Sequence, residues 1–149
     1  MRRPLFVGLL LLVALVPSRL SAQRAPDPER DAVQRVIADF ATHVQANDLS
    51  ALDSFFPPRG LHILTNDATT HGWVEYRDEY LRPELARYPD LRYTHTAIEP
   101  VVRGNVAWVA FRRELSSSTV GAEPVQGRGT AVLEKRDGRW VIVHLHLSR

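Results

Sequence analysis

The chain has no cysteine among its 149 residues, one methionine and, apart from Lys135, no lysine. Without thiols there is no disulfide framework, no thiolate nucleophile or ligand, and no lipid attachment at a processed N-terminus. A phosphate-cradling glycine loop, a nucleophile-elbow motif and a paired-cysteine metal pattern are also missing. Nor is any apolar run long enough to span a bilayer comfortably, which takes about 20 residues. The longest runs from Leu5 to Val16, broken only by Gly8. Arg2 and Arg3 precede it and Leu20-Ser21-Ala22 follows it, which is the layout of a secretory signal. Residues 1–22 are therefore expected to be a cleaved signal peptide, with an uncleaved anchor as the alternative. The remainder, 23–149, is expected to be one domain, periplasmic or extracellular, beginning at Gln23 and without stable membrane insertion.

The leader also accounts for the basic character of the whole chain. Of its 19 basic residues three (Arg2, Arg3, Arg19) lie in the leader, which holds no acid, leaving 16 basic against 17 acidic. A domain so nearly neutral gives no electrostatic ground for nucleic-acid binding, and none is expected. Its hydrophobic share of 44% is enough for one core.

Asp27 can cap a helix that begins at Pro28, where a missing N–H costs nothing. Val33, Val36, Ile37, Phe40, Ala41 and Val44 then recur as one stripe of an amphipathic helix. Asn47-Asp48 ends it. A second short helix carries Leu49, Leu52, Phe55 and Phe56 up to Pro57-Pro58. Leu61 to Leu64 is expected as a short strand and Thr65 to Thr70 as a polar turn. A third helix starts near Gly72, presents Trp73, Tyr76, Tyr80, Leu81, Leu85 and Tyr88, and is expected to kink or break at Pro83. Beyond Pro89 the period becomes two: strands are expected over Leu91–Val102, Val106–Leu115, Val125–Lys135 and Arg139–Ser148, the last pair joined by an Asp137-Gly138 hairpin turn. Helices packed on one face of a bent antiparallel sheet make an α+β fold with a cavity between the layers.

Four features taken in order carry a resemblance: the element order, Asn47-Asp48-Leu49-Ser50-Ala51-Leu52 between the first helices, His71-Gly72-Trp73 opening the third, and Asp137-Gly138-Arg139-Trp140-Val141-Ile142-Val143-His144-Leu145-His146-Leu147-Ser148 at the end. Together they resemble the SnoaL-like branch of the nuclear transport factor 2-like superfamily. The closing tryptophan, histidine-x-histidine and serine are also similar to the association domain of calcium/calmodulin-dependent kinases. The resemblance implies a cone-shaped fold, three N-terminal helices on a strongly curved antiparallel sheet, and a homodimer paired across the outer sheet face. It implies no single activity, since the superfamily holds isomerases, cyclases, dehydratases, ligand binders and oligomerisation domains.

Strict alternation along the last strand puts Trp140, Ile142, His144, His146 and Ser148 on one face and Val141, Val143, Leu145 and Leu147 on the other. His144 and His146 could ligate a metal with His62 or His95 as a third donor. The related domains carry the same pair without a metal, so none is expected, nor any other cofactor, and a structural or interfacial role is the leading reading. Where the association domain has an arginine that its cavity uses for anions, this chain has Leu147; Arg128 or Arg112 would have to serve instead. An enzyme of the ketosteroid isomerase kind would need a base, for which His144, His146, Glu99 and Asp67 are candidates, and a donor such as Tyr76, Tyr80 or Tyr93. The expected ligand-contacting set is Trp73, Tyr76, Tyr80, His62, His95 and Arg128. The leading expectation is an exported domain that binds a small hydrophobic molecule in the cavity. The alternatives are an isomerase, cyclase or dehydratase and a dimerisation or interaction domain.

Overall fold

A computed structural model describes residues 27–119 and 123–149. The expected signal peptide and the short segment after it lie outside the described residues. From Asp27 the elements are α1 (Pro28–Gln45), a 3₁₀ turn (Ala51–Phe55), β1 (His62–Leu64), β2 (Thr69–Thr70), α2 (Trp73–Tyr76), a π turn (Arg77–Leu81), α3 (Arg82–Arg87) and four long strands, β3 (Arg92–Arg103), β4 (Val106–Ser116), β5 (Val125–Arg136) and β6 (Arg139–Ser148). Among the described residues no helix is long and apolar enough to cross a membrane. The α+β class follows from this order.

Helix α1 is closed at both ends by local chemistry. The Asp27 carboxylate accepts the N–H groups of Glu29 and Arg30, each at 3.2 Å. At the far end Asn47 turns left-handed (φ 54), so that Asp48 N–H reaches His43 O at 2.9 Å and Asn47 N–H reaches Val44 O at 3.0 Å. Such a cap is worth about 1 kcal/mol, whereas burying one large apolar side chain is worth about 1.5–3 kcal/mol. The stripe of Val33, Ile37, Phe40, Ala41 and Val44, all buried, therefore decides that this helix docks. Polar clamps set where it docks. Gln45 donates to Leu91 O at 2.9 Å and accepts from Tyr93 N, which pins the start of β3. Glu29 accepts from Lys135 Nζ at 2.6 Å and Trp140 Nε1 at 2.9 Å, which pins the β5–β6 hairpin.

At Pro83, where a kink or a break is expected, the third helical run is irregular but continuous. Arg82 N–H bonds to Arg77 O, five residues back, so the helix loosens into a π turn just ahead of a residue with no N–H to give. A difference lies before it. The end of the expected polar turn, Thr69–Thr70, is extended and pairs with β1.

The sheet has six strands in the order β2-β1-β6-β5-β4-β3. It is antiparallel throughout except for β1, which lies parallel on β6. The β5–β6 turn has Asp137 (φ 50) and Gly138 (φ 78) both left-handed, the geometry that an Asp-Gly pair selects for a two-residue hairpin. Two bulges bend the sheet. In β3, Ala97 (φ 47) and Ile98 together face Phe111. In β6, Ile142 pairs with Leu133 and His144 with Val132, leaving Val143 as the extra residue.

That second bulge overturns the strict alternation expected of the last strand. An extra residue shifts parity by one, so Trp140 and Ile142 share the core face with Leu145 and Leu147, while His144, His146 and Ser148 point out with Val141. Each core-facing member of that set is buried, and His146 is exposed.

Candidate functional site

Between the α2–α3 run and the inner face of the sheet lies a cavity of about 200 Å³. Tyr76, Tyr80, Leu81, Glu84 and Tyr88 line it from the helical side; Tyr93, Arg113, Leu115, Val125 and Leu147 line it from the sheet. Thr65, Asn66 and Asp67 border it from the β1–β2 connection. Tyr76 and Tyr80 are thus where the sequence pattern put them. Leu147, the residue that stands in place of an arginine in the similar domain, does face the cavity.

The other expected contacts fall elsewhere. Trp73 is buried against Phe56, ring centroids 4.5 Å apart and nearly parallel, and its Nε1–H donates to Asp53 at 2.7 Å. Asp53 also accepts from Arg77 at 2.9 Å, so Trp73 ties the third helix to the 3₁₀ turn and is not on the cavity wall. Arg112 and Arg128 are exposed register partners on the outer face. Glu99, beside the β3 bulge, is exposed and faces outward as well.

His62, His144 and His146 also face outward. His62 is the register partner of His144 on the adjoining strand, and its ring lies 5.0 Å from that of His71. Partial burial, then the positive charges that His146 and His62 would carry, hold His144 below the usual imidazole range. Among the described residues no group of three or more histidine, cysteine or acidic side chains is arranged to hold a metal ion.

His95 sits one layer behind the cavity. Its ring lies between Phe40 at 5.7 Å and Phe111 at 4.3 Å. Nδ1 is 3.0 Å from Ile37 O, which can only accept, so Nδ1 carries the proton and Nε2 accepts from the Tyr93 hydroxyl at 3.2 Å. Burial pushes the His95 imidazole down to about 4, with the nearby Arg113 charge acting in the same direction against the bond to Ile37. Burial likewise pushes Tyr93 up to about 12, partly opposed by Arg113, and raises the Tyr76 hydroxyl. All three are uncharged at neutral pH.

Arg113 is the residue that motif reading missed. Along β4 the buried residues are Ala107, Val109 and Phe111, and Arg113 continues their parity into the cavity. The signal was available in that alternation, once Arg113 was separated from its neighbour Arg112. Its Nε is buried with no hydrogen-bond partner, and among the described residues it makes no ion pair.

A family described as SnoaL-like domain matches residues 33–149. The chain belongs to the SnoaL-like domain family. Solved structures with the nuclear transport factor 2-like fold superpose on this SnoaL-like domain. An NTF2-like protein of unknown function from Shewanella oneidensis is 25% identical, with 80% of this chain and 98% of that one covered and a TM-score of 0.59. A provisionally named ketosteroid isomerase from Shewanella frigidimarina is 21% identical, covering 76% and 92%, with a TM-score of 0.67. A provisionally named scytalone dehydratase from Novosphingobium aromaticivorans is 17% identical, covering 80% and 82%, with a TM-score of 0.68. At such identities the last two are likenesses of fold. No curated protein matches the chain.

Proposed function

We propose that this SnoaL-like domain is an exported, non-catalytic binder of a small molecule with an apolar body, held between the α2–α3 run and the sheet. The observation that carries the reading is the cavity itself: it is open space of about 200 Å³, walled by Tyr76, Tyr80, Tyr88 and Tyr93. A domain used only for assembly has no need to keep such a space, which forfeits packing contacts. Export is supported by the charge, apolar run and small-residue site of the leader. The isomerase or dehydratase alternative is less well supported. The one histidine within reach of a cavity tyrosine, His95, has both ring nitrogens engaged and sits behind the wall. The carboxylates at the rim, Asp67 and Glu84, are exposed and lack the apolar burial that readies a carboxylate as a base.

A second feature favours a homodimer through the outer sheet face. Val101, Trp108, Val132, His144 and His62 form one register row across it, and Trp108 is 47% exposed. An exposed tryptophan flanked by two valines, with histidines continuing the row, is the aromatic and apolar composition found at interface cores.

Binding is tested by a thermal-shift screen of single-ring and two-ring hydrophobic compounds on residues 23–149, repeated with Leu147→Arg, which fills the cavity with a charged chain. Stabilisers that act on the wild type and lose their effect in the variant are expected. A screen with no stabiliser would refute the reading.

A further inference from the structure

Every charged side chain on the inner face of the long strands has a carboxylate or lies at the rim, except one. Lys135 faces inward at the end of β5 and is paired with Glu29. Arg113 is on the cavity wall, its Nε is buried, and no acceptor meets that atom. A buried donor on a charged group that goes unpaired is costly, and native folds keep few of them.

The strand beside it carries a glycine next to the guanidinium. Gly127 is the register partner of Arg113; a Cβ there would collide first with the Ser148 carbonyl oxygen and would also stand 3.3 Å from Arg113 Nε and 3.5 Å from Nη2. Gly129 stands likewise beside the Phe111 ring, which would overlap an added Cβ. The Arg113 side chain therefore packs beside Gly127, where β5 has no side chain of its own. Beside it the Tyr93 hydroxyl has committed its proton to His95 Nε2. Its oxygen can only accept, so it steadies the guanidinium and offers no donor to an anion. Two arginines line the cavity: Arg113 is set in the wall, and Arg149 is exposed at the edge.

Size and rim charge narrow the occupant. An apolar cavity of about 150 Å³ holds benzene, so 200 Å³ accommodates one ring with a short chain. At the rim two carboxylates, Asp67 and Glu84, outnumber the one exposed cation, Arg149, and so oppose the passage of multiply charged anions. We propose that the ligand is a single-ring monocarboxylate, its carboxylate bonded to Arg113 and its ring against Tyr76, Tyr80 and Tyr88. This rests on the binding role proposed above and adds the chemical class of the molecule.

The test uses phenylacetate, its neutral isostere phenylacetamide, and phenyl phosphate, titrated calorimetrically into residues 23–149 and into the Arg113→Gln variant. In the wild type the acid is expected to bind about tenfold or more tightly than the amide, the scale of a charge-assisted hydrogen bond. In Arg113→Gln that preference should disappear while amide binding stays. Equal binding of acid and amide by the wild type would overturn the carboxylate assignment and leave the binding role standing. Tighter binding of phenyl phosphate than of the acid would overturn the monoanion. If no compound binds here or in the hydrophobic screen, the binding role itself falls. Because the acid-to-amide ratio is measured on the wild type, a variant that failed to fold would not spare the proposal.

Discussion

His95 couples the fold to pH in a way that can be worked out in advance. In the unfolded chain its imidazole titrates near 6.5; in the folded protein burial holds it to about 4. Between those values the unfolded state binds a proton that the folded state refuses, so stability rises with pH across the window. The contribution is complete above about 6.5, is lost progressively as pH falls, and is exhausted below about 4. One pKa unit is about 1.4 kcal/mol, so going from pH 7 to pH 4.5 should remove about 2 kcal/mol through this side chain alone. His95→Gln is the perturbation: an amide can still donate toward Ile37 O and accept from Tyr93, but it does not titrate. Urea unfolding of both proteins at pH 7 and pH 4.5 gives the comparison, and His144 and the carboxylates cancel because both proteins carry them. The wild type should lose about 2 kcal/mol more than the variant over this interval. If the two proteins lose the same amount, His95 is not held neutral by its burial between Phe40 and Phe111.

Two further outcomes are expected. Light scattering of residues 23–149 at micromolar concentration should give twice the monomer mass, and Trp108→Glu should return it to the monomer mass without loss of helix or sheet signal; a wild type that stays monomeric at high concentration removes the dimer. Gly129→Ala should destabilise by about 1–3 kcal/mol, because its methyl would enter space held by the Phe111 ring, and an unchanged thermal midpoint would show that the ring is free to move aside.

Much of the architecture was legible because it depends on short-range chemistry. The α1 stripe, its Asp27 cap, the Asn47 stop and the Asp137-Gly138 turn each follow from the conformational needs of a few adjacent residues, and all appear at the expected positions. Resemblance added the family to which that order of elements belongs. Pro83 shows how far local reasoning reaches. A missing N–H must be accommodated somehow, but whether by a break or by a π turn depends on what holds the helix on both sides, here the Trp73–Asp53–Arg77 links and the burial of Leu81 and Leu85.

The candidate site was less legible, for reasons that are equally physical. Alternation assigns faces only while register is unbroken, and one extra residue at Val143 moved His144 and His146 away from Trp140 and Ile142 to the outer face. Aromatic side chains at helical spacing are all eligible as cavity lining; Trp73 was diverted because Asp53, twenty positions earlier in the chain, accepts its indole N–H. Arg112 and Arg113 are adjacent and chemically identical, and only the placement of β4's inner face on the cavity makes one a solvated surface group and the other a chain with a buried donor. The sequence by itself determined the class of fold, the element order and a leader-like N-terminus, because these are set by composition, periodicity and turn chemistry within a few residues. Which arginine, which tyrosines and which histidines meet one another was decided by tertiary structure, since bulges, strand register and long-range clamps such as Glu29 and Gln45 act between residues far apart in the chain.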